Sequence, residues 1–174
     1  MCNYSLYEDG RILPLGDGKI RLSRIKNRDD AHIRVYGKQT ADGEKILCMA
    51  SGIENDAVSY RMAVTKWLRE YARAALGSKV QYFADKMNVS VGKIAIKEQK
   101  TRWASCSSKG NLNFNWKLVL MPEKIQNYVV VHELAHRKQM NHSGAFWAEV
   151  ETVLPEYQEY RKWLREHEKE FIKY

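Results

Sequence analysis

Apolar residues recur along the chain with two different periods, which separates strand-like from helix-like parts. Residues 19–50 alternate over short stretches, which predicts several strands. Residues 56–76 repeat at intervals of three and four, which predicts a helix that ends at a glycine cap, Gly77. A shorter helix is predicted over residues 79–87, and it should end at Asn88.

The clearest period-two pattern is "NLNFNWKLVL", residues 111–120, which predicts a half-buried strand. "VGKIAIKE", residues 91–98, predicts a second strand. Proteins commonly bind a peptide by adding it as a strand to the edge of a sheet. The strand over 111–120 is therefore the candidate substrate-binding edge, with Asn113 and Asn115 on its polar face as candidate contacts.

Three helices are predicted after this strand. The first begins at Pro122, whose missing N–H costs nothing in the first turn, and runs to about Met140. It is apolar nearly all round in the middle, so we expect it to be buried. Ser143 is suited to cap a second helix that continues through Leu154, and Pro155 starts the last one.

Length and composition favour a single globular domain. The chain has 174 residues, and we expect residues 1–55 to form a β-rich segment of the same domain as the core, residues 56–174. Its three cysteines are too scattered for a disulfide framework. No apolar run approaches the about 18 residues of a membrane span, and the N-terminus lacks the apolar core of a secretory signal. The expected location is therefore the cytoplasm, without a membrane partner.

The net charge of +8 favours an acidic partner such as nucleic acid about as much as a basic, solvated surface. The basic residues are spread along the chain, and no helix-turn-helix or zinc-ribbon spacing accompanies them. Nucleic acid is therefore a possible partner that the charge alone does not establish.

The stretch "HELAHRKQMNH", residues 132–142, predicts a metal site on the first of the three helices. His132 and His136 are four residues apart, which on a helix is about 40° around the axis and about 6 Å along it, so both imidazoles can reach one ion. Glu133 lies about 100° from His132, where its carboxylate can contact a water molecule at the metal. Two histidines and a carboxylate base are the HExxH arrangement of zinc peptidases.

A catalytic zinc site needs three protein ligands and one open position, so a third ligand is expected. His142 completes the pattern HExxHxxxxxH if the chain turns at Asn141, a residue that tolerates the left-handed conformation. The alternative ligand is a carboxylate on the next helix, Glu149 or Glu151. Either glutamate has a second possible role, which is to orient a ligand histidine. The spacing favours His142 and leaves the alternatives open.

Two segments together resemble a known family. "RWASCSSKGNLNFNWKLVLMP" and then "YVVVHELAHRKQMNHSGAFW" are similar to the YgjP-like family of bacterial zinc metallopeptidases, which is related to the SprT-like proteins. The resemblance implies an α+β, zincin-like fold in which a small mixed or antiparallel sheet packs on the active-site helix and further helices follow at the C-terminus. It also implies one catalytic Zn²⁺, with His132, His136 and His142 as its ligands. One departure is Ala104, where glycine is expected and a methyl group would narrow a close backbone approach.

These observations predict a zinc-dependent metallopeptidase that hydrolyses a polypeptide substrate. Glu133 would act as general base towards the activated water and return the proton to the leaving amine. Candidate donors to the oxyanion are Tyr157, Tyr160 and Asn113. Two alternatives remain: a nucleic-acid-associated zinc protein, with a structural zinc or with activity on DNA-bound proteins, and a hydrolase of non-peptide amides. A structural zinc site fills all four positions from protein and needs no Glu133, which favours the peptidase.

Overall fold

The computed structural model describes residues 7–28, 32–52, 56–99 and 101–174, so Cys2 lies outside the described residues. Within these ranges the chain forms two small sheets and four α-helices, which confirms the predicted α+β class. None of the described helices is long and apolar enough to cross a membrane. The division into residues 1–55 and 56–174 stays a prediction.

The N-terminal sheet has four strands in the order β1–β2–β4–β3: β1 (Ile12–Leu15), β2 (Gly18–Lys26), β3 (Arg34–Gln39) and β4 (Lys45–Ser51). The pairs β1–β2 and β3–β4 are antiparallel, whereas β2 and β4 are parallel. The alternation over residues 19–50 predicted three of these strands. It missed β1, which has only four residues and includes Pro14, a residue that strands accept mainly at an edge.

Helix α1 (Ala57–Met87) is one continuous helix of 31 residues, so the predicted break at Gly77 is wrong. The buried stripe of the helix continues past that glycine through Leu76, Val80 and Phe83. The packing of this stripe outweighs the modest cost of a glycine inside a helix. The predicted end at Asn88 is confirmed, because this residue adopts the left-handed conformation with φ 53° and caps the helix.

The second sheet has three strands in the order β5–β7–β6: β5 (Ile94–Lys97), β6 (Ala104–Cys106) and β7 (Leu112–Asn115). The predicted strand over 111–120 is wrong beyond Asn115, where a 3-10 helix, Trp116–Leu120, takes over. The Asn115 side chain accepts a hydrogen bond from the Lys117 N–H at 3.1 Å and so caps this helix. All five residues of the 3-10 helix are buried. The alternation of apolar and polar residues beyond Asn115 therefore does not reflect a buried and an exposed face of a strand.

Strand β7 is the central strand of this sheet, since β5 pairs with it in parallel and β6 in antiparallel orientation. The prediction that it is the substrate-binding edge is therefore wrong. Strand β6 is the edge strand on the side of the C-terminal helices, and it packs against the helix that carries His132.

Three helices follow the second sheet: α2 (Glu123–Ala135), α3 (Gly144–Val153) and α4 (Tyr157–Ile172). Helix α2 is buried on most sides, as predicted, but it ends at Ala135 rather than near Met140. The predicted left-handed turn at Asn141 is also wrong, because Asn88 is the one described non-glycine residue with a positive φ. The Ser143 cap is confirmed by a hydrogen bond from the Phe146 N–H to its Oγ at 3.4 Å.

Candidate active site

Three histidines from two helix ends meet beside the second sheet. His132 lies in the last turn of α2, His136 is the C-cap residue that follows that helix, and His142 directly precedes the Ser143 cap of α3. One side-chain nitrogen from each lies within 4.8 Å of the other two, and the Nε2 atoms of His132 and His142 are 3.0 Å apart. We call this group the histidine cluster.

The chain turns early enough for His142 to reach the cluster because α2 ends in a tight turn. The N–H of Arg137 donates to the carbonyl of Leu134 at 2.9 Å, which is a bond to the third preceding residue, as in a 3-10 helix, rather than to the fourth, as in an α-helix. His136 Nδ1 lies 3.2 Å from the carbonyl oxygen of Gln139. A carbonyl only accepts, so Nδ1 carries the proton and the lone pair of His136 is on Nε2.

The cluster rests on the ring of Phe146, which is fully buried in the first turns of α3. The centroid of this ring lies 4.9 Å from that of His132 and 4.7 Å from those of His136 and His142. The Ser143 cap fixes where Phe146 enters the core. The aromatic contact therefore limits how far each imidazole can rotate.

Charge and burial keep two of the imidazoles neutral. Burial, with the neighbouring His136, His142 and Arg161, lowers the pKa of His132 to about 3. Burial and the nearby charges of His136 and Arg161 also lower the pKa of His142. Neutral imidazole is the form that binds metals, and zinc accepts three such nitrogens readily. The cluster therefore fits a zinc ion, and it is the one group of this kind among the described residues.

Glu133 follows His132 on α2 and is only 6% exposed. It lines a cavity of about 160 Å³ together with His132, Trp103 and Ala104. Burial raises the pKa of Glu133 to about 7, although the Arg102 charge and the Cys106 backbone N–H lower it in part. A carboxyl group with a pKa near neutrality can both take up and release a proton at working pH.

The free edge of β6 borders the same cavity. The Asn115 N–H donates to the Trp103 carbonyl, and the Ser107 N–H donates to the carbonyl of Asn111, just before β7. The backbone groups of Ala104 and Cys106, which alternate with these positions, therefore point away from β7. The N–H of Cys106 is accordingly the group that interacts with the Glu133 carboxyl. Ala104 has no positive φ, so its backbone conformation does not favour glycine.

The other predicted site residues lie outside the histidine cluster. The carboxylate of Glu149 pairs with Lys138 Nζ at 2.8 Å, and Glu151 is exposed. Asn113 Nδ2 donates to Ser105 Oγ at 3.2 Å, across the β6–β7 pair. Asn115 Nδ2 donates to the carbonyl of Gln99 at 2.9 Å. These contacts hold the sheet and the helix surface together, and a role in the site stays a prediction for all four residues.

Of the tyrosines considered as oxyanion donors, Tyr160 donates its hydroxyl to the Glu156 carboxylate at 2.7 Å. Tyr157 is buried, and its ring stacks on Trp147 with a centroid distance of 5.3 Å. A different tyrosine lines the cleft beside His132, namely Tyr128. Burial raises its pKa to about 12, so the hydroxyl remains protonated.

The sequence did not predict that Phe146 contacts the histidine cluster or that Arg161 lines a cavity beside it. Phe146 belongs to the "NHSGAFW" segment that follows the HExxH motif, so its signal was present, although no contact could be assigned to it from the sequence. Arg161 lies 29 positions beyond His132 on the polar side of α4, where periodicity carries no information. It lines a cavity of about 370 Å³ together with His132, His142 and Trp147.

Comparison with known proteins shows to which family this chain belongs. The family model of the YgjP-like metallopeptidase domain matches residues 5–167. The crystal structure of the metallopeptidase zymogen of Pyrococcus abyssi abylysin is 28% identical over 54% of this chain and 93% of its own, with a TM-score of 0.49. That of the metallopeptidase zymogen of Methanocaldococcus jannaschii jannalysin is 26% identical over 52% and 94%, with a TM-score of 0.47. No curated protein matches the chain significantly. The family match spans almost the whole chain, including the histidine cluster, and the protein therefore belongs to the YgjP-like metallopeptidase family and is a peptide hydrolase.

Proposed function

We propose that this protein is a zinc-dependent peptidase in which His132, His136 and His142 hold one catalytic zinc ion and Glu133 is the general base. The observation that carries the proposal is the meeting of three imidazole nitrogens within 4.8 Å beside the buried carboxyl of Glu133. Three protein ligands leave the fourth position of a tetrahedral zinc site open, as catalysis requires.

A bound zinc ion supplies Lewis-acid chemistry, since it polarises a carbonyl group and lowers the pKa of water. The residues of the chain transfer the proton, stabilise the charge of the base and orient the ligands. The carboxylate of Glu133 takes a proton from the attacking water and delivers it to the nitrogen of the leaving amine. The Arg102 charge and the Cys106 N–H stabilise the ionised form of Glu133 before the water is deprotonated. The Gln139 carbonyl holds the tautomer of His136 that a metal ligand needs.

The substrate strand is proposed to bind at the free edge of β6. Ala104 lines the cavity with Glu133 and His132, and its backbone N–H and C=O lie on the side of the strand opposite β7. An extended peptide paired with Ala104 would run past the histidine cluster. This edge replaces the strand over 111–120 that the sequence suggested.

Replacing Ala104 with proline tests this edge. Proline removes the outward N–H without disturbing the hydrogen bonds to β7, and edge strands accept it at such positions. We expect KM for peptides to rise about fivefold to tenfold, because one backbone hydrogen bond to substrate is worth about 1 kcal/mol. An Ala104→Ser variant, which keeps the N–H, should retain the KM of the unmodified protein. Equal KM values in all three proteins would refute the edge.

The zinc assignment is tested by metal analysis and reconstitution. We expect one zinc ion per chain, and peptide cleavage by chelator-treated protein should recover in proportion to the zinc returned. Magnesium, which prefers oxygen ligands, should not restore cleavage. Cleavage that is undiminished in zinc-free protein would overturn the proposal.

The nucleic-acid-associated alternative is supported only by the net charge of +8. The buried base beside the histidine cluster favours the peptidase, because a structural zinc site has no use for Glu133. Nucleic acid as a partner and the cytoplasmic location stay predictions.

A further inference from the structure

The cavities around the histidine cluster form a series, because neighbouring cavities share lining residues. Trp103 lines both the Glu133 cavity and a larger one of about 610 Å³ beyond β6. Tyr128 and His132 line both the Glu133 cavity and the one that contains Arg161. Arg161 also lines an outer cavity of about 380 Å³ on α4. The four cavities are therefore neighbours in a series from Trp103, past the cluster, to Arg161, and we call this series the cleft.

The Arg161 end of this cleft is positively charged without acidic compensation. The outer cavity is lined by Arg161, Lys162 and Arg165 with Tyr157 and Gln158, and no carboxylate lines either of the two cavities at this end. Among the described residues, none of the three cations forms an ion pair within 4.0 Å. The opposite end differs, because Glu98 and Glu168 accompany the cations Arg102 and Lys117 in the cavity there.

Arg161 lines one cavity with His132 and His142, and its guanidinium is held there by stacking. Its guanidinium carbon lies 4.6 Å from the centroid of the Trp147 ring, and Trp147 in turn stacks on Tyr157. A guanidinium on an aromatic face keeps its N–H donors available in its own plane. It can therefore offer the two parallel donors that a carboxylate accepts.

We propose that the Arg161 end of the cleft is a subsite for a carboxylate of the substrate, with Arg161 as the specificity-determining residue. The proposal rests on the proposed function, since it takes a polypeptide to lie in the cleft. A zinc ion held by the histidine cluster would repel the Arg161 guanidinium that lines the same cavity, and an anion between them would remove that cost. Carboxylates are the anions that an unmodified polypeptide carries, either on Asp and Glu side chains or at its C-terminus.

Peptide binding to the Glu133→Gln protein measures this preference without depending on cleavage. Labelled short peptides would carry a single Glu moved through each position, with Glu→Gln versions and with free or amidated C-termini as separate arms. At one position, or at the free C-terminus, we expect the carboxylate to improve affinity about fivefold, as for a partly exposed charge pair of about 1 kcal/mol. Adding Arg161→Gln should abolish this difference, whereas Arg161→Lys should retain part of it. Lys169→Gln, a matched charge change two turns further along α4 and outside the cleft, should leave it intact.

Several results would overturn the subsite. Two of these are equal affinity for Glu and Gln peptides and no measurable binding of any peptide. A third is an equal loss of affinity for all peptides in Arg161→Gln, which would indicate a role of Arg161 in the fold or in oxyanion stabilisation. Loss of oligonucleotide binding in Arg161→Gln with unchanged peptide preference would assign the surface to nucleic acid instead. If the carboxylate preference is found but the zinc-loaded protein cleaves no peptide, the subsite stands and the proposed catalytic function fails. If the protein cleaves peptides without any such preference, the catalytic function stands and the subsite fails.

Discussion

Replacing Glu133 with glutamine is expected to reduce kcat for peptide cleavage by about 10²–10⁴-fold while zinc stays bound, because general acid–base catalysis contributes that much. Glutamine has nearly the same shape but cannot accept the proton of the attacking water. The fold should not suffer. Burial raises the pKa of Glu133 to about 7, so its ionised form is disfavoured in the folded protein, and a neutral amide removes that cost. The measurements are kcat on a fluorogenic peptide, zinc content and the thermal unfolding midpoint.

Glu166→Gln provides the matched control, since it makes the same chemical change on the exposed surface of α4. It should leave kcat, zinc content and unfolding midpoint unchanged. Full activity in Glu133→Gln would show that Glu133 is not the general base. A fall in unfolding midpoint together with loss of zinc would point to a structural role for this residue instead.

The sequence predicted the helix that carries His132 and His136 because its signals are local. Spacing of four residues places both side chains on one face of any helix, and the buried run through Leu134 confirmed that a helix is there. The Ser143 cap is local as well, since the serine side chain bonds a backbone N–H three residues on. Both features are determined by residues within about four positions along the chain, so the sequence can predict them.

The edge of the second sheet could not be predicted in the same way, because strand order is a property of the whole sheet. The alternation around Phe114 marks a strand equally well at the centre and at the edge. What places β7 in the centre is that β5 and β6 both pair with it, one on each of its two sides. Three-residue β6 carries no periodic signal of its own.

The turn after α2 shows a different limit. The sequence predicts a turn at Asn141, because asparagine tolerates a left-handed backbone. The helix ends at Ala135 instead, and a hydrogen bond between His136 and the Gln139 carbonyl accompanies that end. The acceptor in this contact is a backbone carbonyl, which every residue has, so the amino-acid sequence could not predict the contact. His142 nevertheless reaches the cluster.

Replacing His142 with alanine is expected to remove tightly bound zinc, whereas Glu149→Ala and Glu151→Ala should keep one zinc ion per chain. The reason is geometric, because a nitrogen of His142 lies with those of His132 and His136 within 4.8 Å, while Glu149 is paired with Lys138. Loss of a direct ligand should weaken zinc affinity more than the about 10–100-fold that follows loss of a residue that only hydrogen-bonds to a ligand. Zinc affinity is measured by competition with a chromogenic chelator, with circular dichroism to verify the fold of each variant. Retention of tight zinc by His142→Ala, with loss of zinc in either glutamate variant, would transfer the third ligand to that glutamate.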